Sequence, residues 1–244
     1  MSGPARFEIC SAPEHLAARA AEWVADRIAS STDLFRMALS GGNTPRLLYE
    51  RLASADFRHR IEWRRLDLFW GDERFVPHTD ERSNYRMVRE TLLARAPVLI
   101  DHVHPIVTDG EPEEAARRYE AVLHAIYGAE CLSPSPPLFD LVLLGLGADG
   151  HTASLFPGSR ALDEHDRWVA AVYGREVPRI TLTYPAIACS RAIVFLVTGA
   201  EKAEAVARVQ QGDAALPAAR IQSEGEVMWF LDKEAAGALP PGVR

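Results

Sequence analysis

Three short polar segments hold residue types that could do chemistry together, and each follows a run of apolar residues. The first is Gly145-Leu146-Gly147-Ala148-Asp149-Gly150-His151-Thr152. A histidine titrates near neutrality and can take a proton from water or a substrate. An aspartate two residues away, across a glycine, can orient the ring or stabilise its cation; a hydrogen-bonded surface histidine is the plainer reading. The second is Ser40-Gly41-Gly42-Asn43-Thr44-Pro45. Its glycines let successive backbone N–H groups converge, and a following helix N-terminus adds partial positive charge, a combination that favours phosphate. A tight turn without a ligand uses the same residues. The third is Gly71-Asp72-Glu73-Arg74-Phe75-Val76-Pro77, three charges between hydrophobic flanks, readable as a polar site or as a surface ion cluster. Two further cations are Arg179, opening Arg179-Ile180-Thr181-Leu182-Thr183, and Lys202, after Thr198-Gly199-Ala200-Glu201. A lysine in a helix's first turn opposes the dipole and suits a nearby anion, although both cations also read as solvent-facing.

Other motifs carry less. The segment Gly145 to Gly150 fits G-x-G-x-x-G, but Pro157 and Gly158 end any helix within two turns. The acidic residue that a dinucleotide site needs about 20 residues on is replaced by Gly174-Arg175. The glycine loop at Ser40 has no GK[ST] and is no Walker motif, and neither G-x-S-x-G nor HExxH occurs. His78 to Asn84 reads as a polar loop, and His102-Val103-His104 as structural, with no metal-ligand spacing. Trp63, Trp70, Trp168 and Trp229 read as packing residues, and Cys189 as a buried small hydrophobe.

The elements that must position these residues alternate in type. Leu16, Ala20, Trp23, Val24 and Ile28 recur at helical spacing behind Ser11-Ala12-Pro13-Glu14, which reads as a capping box. Phe35–Leu39, Leu66–Trp70, Val103–Ile106, Phe139–Leu144, Ile193–Val197 and Met228–Leu231 read as strands. Thr44 is expected to cap a helix with Pro45 first, running to about Ala53; Ser83 caps another through Arg95. Helices are also expected over 111–127 and 201–209, with Lys233 in a C-terminal helix. Val169–Tyr173 and Ile180–Thr183 suggest a hairpin, and Ser133-Pro134-Ser135-Pro136-Pro137 a rigid connector. Short strands between longer helices predict an α/β fold: one domain, 1–244, with a Rossmann-like, open, mainly parallel sheet and helices on both faces.

Composition narrows the function classes. The 244 residues carry 27 basic and 34 acidic side chains, a net charge of -7, which argues against a nucleic-acid partner. No apolar run approaches the roughly 18 residues of a membrane span, and the N-terminus lacks a signal-like stretch. Three scattered cysteines fit a reducing compartment, so a cytoplasmic location is expected. Lys202 and Lys233 are the two lysines among those 27 basic residues; the arginine excess is background.

Taken in order, four loops resemble those of 6-phosphogluconolactonases: Ala38 to Pro45, Gly71 to Pro77, Leu144 to Pro157 and Arg179 to Thr183, with Thr198 to Lys202 extending the match. The resemblance covers about residues 35–231. It implies hydrolysis of 6-phospho-D-glucono-1,5-lactone to 6-phosphogluconate in the oxidative pentose phosphate pathway, without metal or organic cofactor. On that resemblance His151 is the general base, with Asp149 and Asp72 as candidates to orient it or the water. Gly41, Gly42, Asn43 and Thr44 hold phosphate, assisted by Arg179 and Lys202, and Arg74 contacts either phosphate or the carbonyl oxygen. The expected partner is a phosphorylated sugar lactone, not a nucleic acid or membrane, and the expected state a monomer or weak homodimer. Glucosamine-6-phosphate deaminases are the runner-up. They resemble D-E-Y where this chain has Asp72-Glu73-Arg74, and carry a glutamate where it has Ser154-Leu155-Phe156-Pro157. A non-catalytic sugar-phosphate-binding protein is the third reading.

Overall fold

A computed structural model describes residues 5–133, 135–223 and 225–240. The extreme N-terminal residues and Pro134 of the proline connector lie outside them. In chain order the first half contains β1 (Arg6–Cys10), α1 (Pro13–Ser30), β2 (Phe35–Leu39), α2 (Asn43–Leu52), α3 (Ala55–Arg58), β3 (Leu66–Trp70), β4 (Asp72–Arg74), α4 (Asn84–Val88) and β5 (Val103–His104). The second half contains α5 (Pro112–Tyr127), β6 (Leu141–Leu144), β7 (Val169–Val172), β8 (Arg179–Leu182), α6 (Tyr184–Ala188), β9 (Ala192–Val197), α7 (Ala203–Gln210) and β10 (Glu226–Asp232).

Seven strands form one sheet in the order β1-β10-β9-β6-β2-β3-β5, and every pair is parallel. β3, β6 and β9 are buried at every residue, as required when both faces of a parallel sheet are covered. The predicted α/β architecture is therefore present. From β2 the chain proceeds outward to β3 and β5; from β6 it proceeds the other way, to β9 and β10. The order reverses between β2 and β6, and in such sheets the crevice beyond the carboxyl ends of the strands at that point is where ligands bind. The loops that leave β2 and β6 there are the Ser40 glycine loop and the Gly145–Thr152 loop.

A second, antiparallel sheet has the order β4-β8-β7. The β7–β8 hairpin was expected; β4 was not, since Asp72-Glu73-Arg74 reads as loop. Backbone bonds Gly71 N to Leu39 O (2.8 Å) and Leu182 N to Gly71 O (2.8 Å) tie this small sheet to the carboxyl end of β2. Its far side is pinned by α5, where the Glu120 carboxylate accepts from Trp168 N at 2.6 Å and Arg167 Nη2 at 3.2 Å. α1 buries Leu16, Ala17, Ala20, Ala21, Val24, Ala25 and Ile28, and its alanines let it lie close to α2 and β10.

Several local expectations are corrected. Ser11 forms no capping box: Ala12 is the N-cap of α1, and the Ser11 hydroxyl bonds His15 Nδ1 at 3.1 Å. Thr44 is not the cap of α2; Gly42 occupies that place with φ of 103°, and the Thr44 hydroxyl meets that of Thr198 at 2.8 Å. Ser83 does cap, accepting from Arg86 N, but α4 passes after Val88 into a π turn over Arg89–Leu93. Lys202 ends a 3-10 turn, Ala200–Lys202, that leads into α7, and Lys233 lies in a turn and not in a helix.

Candidate active site

Nine of the ten residues singled out from sequence line one cavity of about 310 Å³ at the switch point: Gly41, Gly42, Asn43, Thr44, Asp72, Arg74, His151, Arg179 and Lys202. The tenth, Asp149, stands behind His151. Its Oδ1 lies 2.5 Å from His151 Nδ1 and 3.2 Å from the His151 amide.

The loop after β6 folds back on itself through its glycines. A Cβ at Gly147 would lie 2.0 Å from His151 Nδ1, so only glycine lets the ring occupy that place. Gly150 has φ of +78°, and a Cβ there would meet Leu216 at 2.7 Å. Beyond His151, Thr152 Oγ1 donates to Gly145 O at 2.8 Å, and Ala153 adopts φ of 48°. A positive φ on a non-glycine residue marks local backbone strain, here on the cavity wall. Burial pushes the Asp149 carboxyl up, but bonds from the His151 ring and amide, the His151 charge, and Arg175 more than offset it. The carboxyl sits below its ordinary value and stays ionised.

The glycine loop after β2 is tethered from below. Tyr49, fully buried, accepts from Ser40 N at 2.9 Å and donates to Ser40 O at 2.8 Å. A Cβ at Gly41 would lie 2.0 Å from Asn84 Oδ1, so the close approach of α4 requires glycine. Facing this loop, the Thr198–Lys202 turn is fixed by buried Asp232, whose Oδ2 accepts from Gly199 N at 3.1 Å. Lys202 Nζ is 3.9 Å from Glu201 Oε1, close enough for weak pairing only.

The small sheet supplies the remaining wall. Asp72 does not bond His151; its Oδ2 accepts from Ser154 Oγ at 2.6 Å and its Oδ1 from Asn84 Nδ2 at 3.2 Å. It therefore ties the His151 loop to α4. Arg74 and Arg179 are direct partners across β4 and β8. Arg74 Nη1 donates to Arg82 O at 2.6 Å, while the Nε of each arginine is buried with no partner. Burial, then the Arg74 charge, lowers the Arg179 guanidinium below its ordinary value. Two adjacent guanidinium groups with unused buried donors form an anion site, since a buried unpaired donor is costly until something accepts from it.

Glu73 and Arg175 matter to this wall and were missed from sequence. Glu73 Oε1 accepts from Arg74 N and Asn84 N, each at 2.7 Å, and Oε2 from Tyr85 N at 2.7 Å and Ser83 Oγ at 3.0 Å. It thus staples β4 to the start of α4. The sequence clue was the cap residue Ser83 ten positions after an acid, which is too weak to act on. Among the described residues no group of three or more His, Cys, Asp or Glu could hold a metal ion. His104 and His102 bond Asp67 Oδ1 and Leu66 O, at 2.7 and 3.2 Å, in structural roles. No helix among the described residues is long and apolar enough to cross a membrane.

Comparison with known proteins agrees with this geometry. A 6-phosphogluconolactonase of Synechocystis is 42% identical over 209 residues, covering 84% of this chain and 85% of the relative. A Nostoc 6-phosphogluconolactonase is 40% identical over 210 residues, with 84% and 85% covered. The structure of the Trypanosoma brucei 6-phosphogluconolactonase superposes with a TM-score of 0.84 at 35% identity, covering 98% of this chain and all of that one. The family described as glucosamine-6-phosphate isomerases/6-phosphogluconolactonase matches residues 11–229. With that match spanning most of its length, the chain belongs to the glucosamine-6-phosphate isomerase/6-phosphogluconolactonase family.

Proposed function

We propose that the protein hydrolyses 6-phospho-D-glucono-1,5-lactone to 6-phosphogluconate, the reaction implied by the names of its relatives, and that residues 1–244 act as one domain. The observation that carries this reading is His151 at the cavity wall, its Nδ1 held by an ionised Asp149, in the same cavity as Arg74 and Arg179 with their unpartnered Nε donors. With Nδ1 held, Nε2 takes a proton from water as the oxygen attacks the lactone carbonyl. The C1–O5 bond then breaks and the imidazolium returns the proton to the ring oxygen, so no proton is gained or lost at the base. The glycine loop, Arg179 and Lys202 grip the phosphate. Arg74 sits beside Arg179, placed for phosphate or for the carbonyl oxygen as charge develops on it.

The deaminase reading has less support. The position where those enzymes carry a glutamate belongs to Ser154-Leu155-Phe156-Pro157, and Ser154 is buried and bonded to Asp72. No carboxylate from that stretch reaches His151. The test is a coupled assay in which glucose-6-phosphate dehydrogenase makes the lactone and 6-phosphogluconate dehydrogenase reports its opening, corrected for spontaneous hydrolysis. The protein should accelerate opening well above background. His151→Ala should lower kcat by about 10²–10⁴-fold while still binding 6-phosphogluconate. Full activity in His151→Ala would remove the base assignment.

A further inference from the structure

The Asp149 carboxylate has two oxygens, and its own loop occupies one. Oδ1 serves the His151 ring and amide. Oδ2 accepts from Arg175 Nη2 at 3.1 Å, a residue that arrives from the β7–β8 hairpin, 26 positions away in sequence. The Arg175 guanidinium lies over the Phe156 ring with Cζ 3.9 Å from its centre, and the same ring packs against His151 at 4.6 Å between centroids. Phe156 is buried, so it is a fixed surface for both groups. The hairpin is itself held just after Arg175. Glu176 pairs with Arg82 Nη1 at 3.0 Å, and Pro178 O accepts from Phe75 N at 2.8 Å.

We propose that Arg175 is a positioning residue for the His151 base: stacked on Phe156 and bonded to Asp149 Oδ2, it locks the carboxylate that aims the imidazole into the cavity. This rests on the reading of His151 as the base. A carboxylate bonded on one oxygen can swing about its own axis; one bonded on both cannot, and the ring it holds keeps its plane. A guanidinium suits the task because it can stack on an aromatic face while donating in its own plane. Arg175 does not line the cavity, which separates it from the substrate-gripping arginines. The nearest other charged groups are Arg179 on β8, whose Cζ lies 5.8 Å from the centre of the same Phe156 ring, and the Glu176–Arg82 pair beside Arg175. Asp72 and Arg74 on β4 and Glu201 and Lys202 on the turn before α7 line the cavity.

The test compares wild type, Arg175→Ala, Arg175→Lys, Asp149→Asn and the Arg175→Ala/Asp149→Asn double variant in the coupled assay, with His151→Ala alongside. Arg175→Ala should lower kcat roughly tenfold and leave KM within about twofold. The double variant should be no slower than Asp149→Asn alone, because both changes cut the same chain. Arg175→Lys should recover part of the loss. By side-chain ¹³C NMR, the Asp149 carboxyl should titrate at higher pH in Arg175→Ala, having lost a cation that favours its charged form. An unchanged kcat, additive losses in the double variant, or an unmoved Asp149 titration would each overturn the proposal. So would a raised KM at constant kcat, which would make Arg175 a substrate contact. If His151→Ala is inactive and Arg175→Ala is not impaired, only the positioning role falls; if His151→Ala is fully active, the base reading falls as well.

Discussion

The two ends of the seven-stranded sheet both carry polar grooves rich in arginine, and they differ in what those arginines already do. At the amino ends of β2, β6 and β9, Phe35, Arg36, Leu141 and Ala192 line a groove of about 700 Å³, more than twice the volume of the cavity at the carboxyl ends. Its charges satisfy one another. Asp140 accepts from Arg36 N at 2.9 Å and Arg191 Nε at 2.8 Å, Arg36 Nη2 donates to Ile126 O at 3.1 Å, and Arg27 pairs with Glu226. At the carboxyl ends, Arg74 and Arg179 keep buried Nε groups without partners, between two glycine loops. Volume therefore does not mark the site; two adjacent guanidinium groups with unspent donors gathered on one cavity do, since native structures rarely leave such capacity without a reason.

The largest expected effect falls on what holds the unspent donors in place. Glu73→Gln replaces one acceptor oxygen by a donor, leaving either the Arg74 and Asn84 amides or the Ser83 hydroxyl and Tyr85 amide facing it. The loss should be roughly 2–4 kcal/mol of stability, read by urea denaturation. Its pH dependence has a definite sign. Burial, opposed by amides of Tyr85, Asn84 and Arg74, pushes the Glu73 carboxyl up to about 7 from an ordinary 4.5. A folded-state value above the unfolded one contributes stability that is fully present below about 4.5 and lost as pH rises through about 7. The gap between wild type and Glu73→Gln should thus be wider at low pH and narrow toward and beyond neutrality. A constant gap would show that Glu73 is ionised throughout.

A second pair of changes acts on the donors themselves. Arg179→Ala removes a half-buried cation whose buried Nε has no partner and should raise KM by roughly 10–100-fold. Lys202→Ala removes a partly exposed ammonium beside Glu201 and should raise KM about fivefold, with kcat less affected. Steady-state kinetics on the two variants ranks them. A larger effect at Lys202, or a fall in kcat alone at Arg179, would move the phosphate grip away from the small sheet.

The contrast between the two ends was partly legible in sequence. Phe35–Leu39 reads as a strand and Phe139–Leu144 as a buried one, and the glycine loops behind them carry their chemistry on consecutive residues, so the facing loops could be found. The strand order, which makes them neighbours, rests on pairings between residues such as Met37 and Leu141 that no local pattern encodes. β1 was invisible because it is a short, half-buried edge strand whose Phe7 and Ile9 alternate with charges. β4 was hidden for the opposite reason: Asp72-Glu73-Arg74 has poor strand propensity, and it becomes a strand because tertiary donors satisfy Glu73 and β8 supplies its ladder. Ser11 and Thr44 have the residue types of helix caps, yet His15 and Thr198 compete for their hydroxyls. Arg175 could not be told from the many background arginines until the hairpin brought it to Asp149.

The smallest expected effect is the one that most directly tests the contrast. Arg191 lies at the amino end, donates to Asp140 at 2.8 Å, and is 65% exposed, so its ion pair is largely screened by water. Arg191→Ala keeps the backbone bonds Arg191 N to Phe139 O and Glu226 N to Arg191 O, which carry the sheet. It also leaves Asp140 bonded to Arg36 N, so no buried charge is stranded. Stability should change by about 0–1 kcal/mol, with kcat and KM in the coupled assay equal to wild type within error. The same groove should show no 6-phosphogluconate-dependent chemical-shift changes, whereas those at the carboxyl ends should cluster on Gly41, Gly42, Arg74 and Arg179. If Arg191→Ala instead raises KM, or shifts appear around Asp140, then satisfied charges at the amino end are exchanging partners for ligand. The rule separating the two ends would fail there, because an arginine's existing bonds would not show whether it is available.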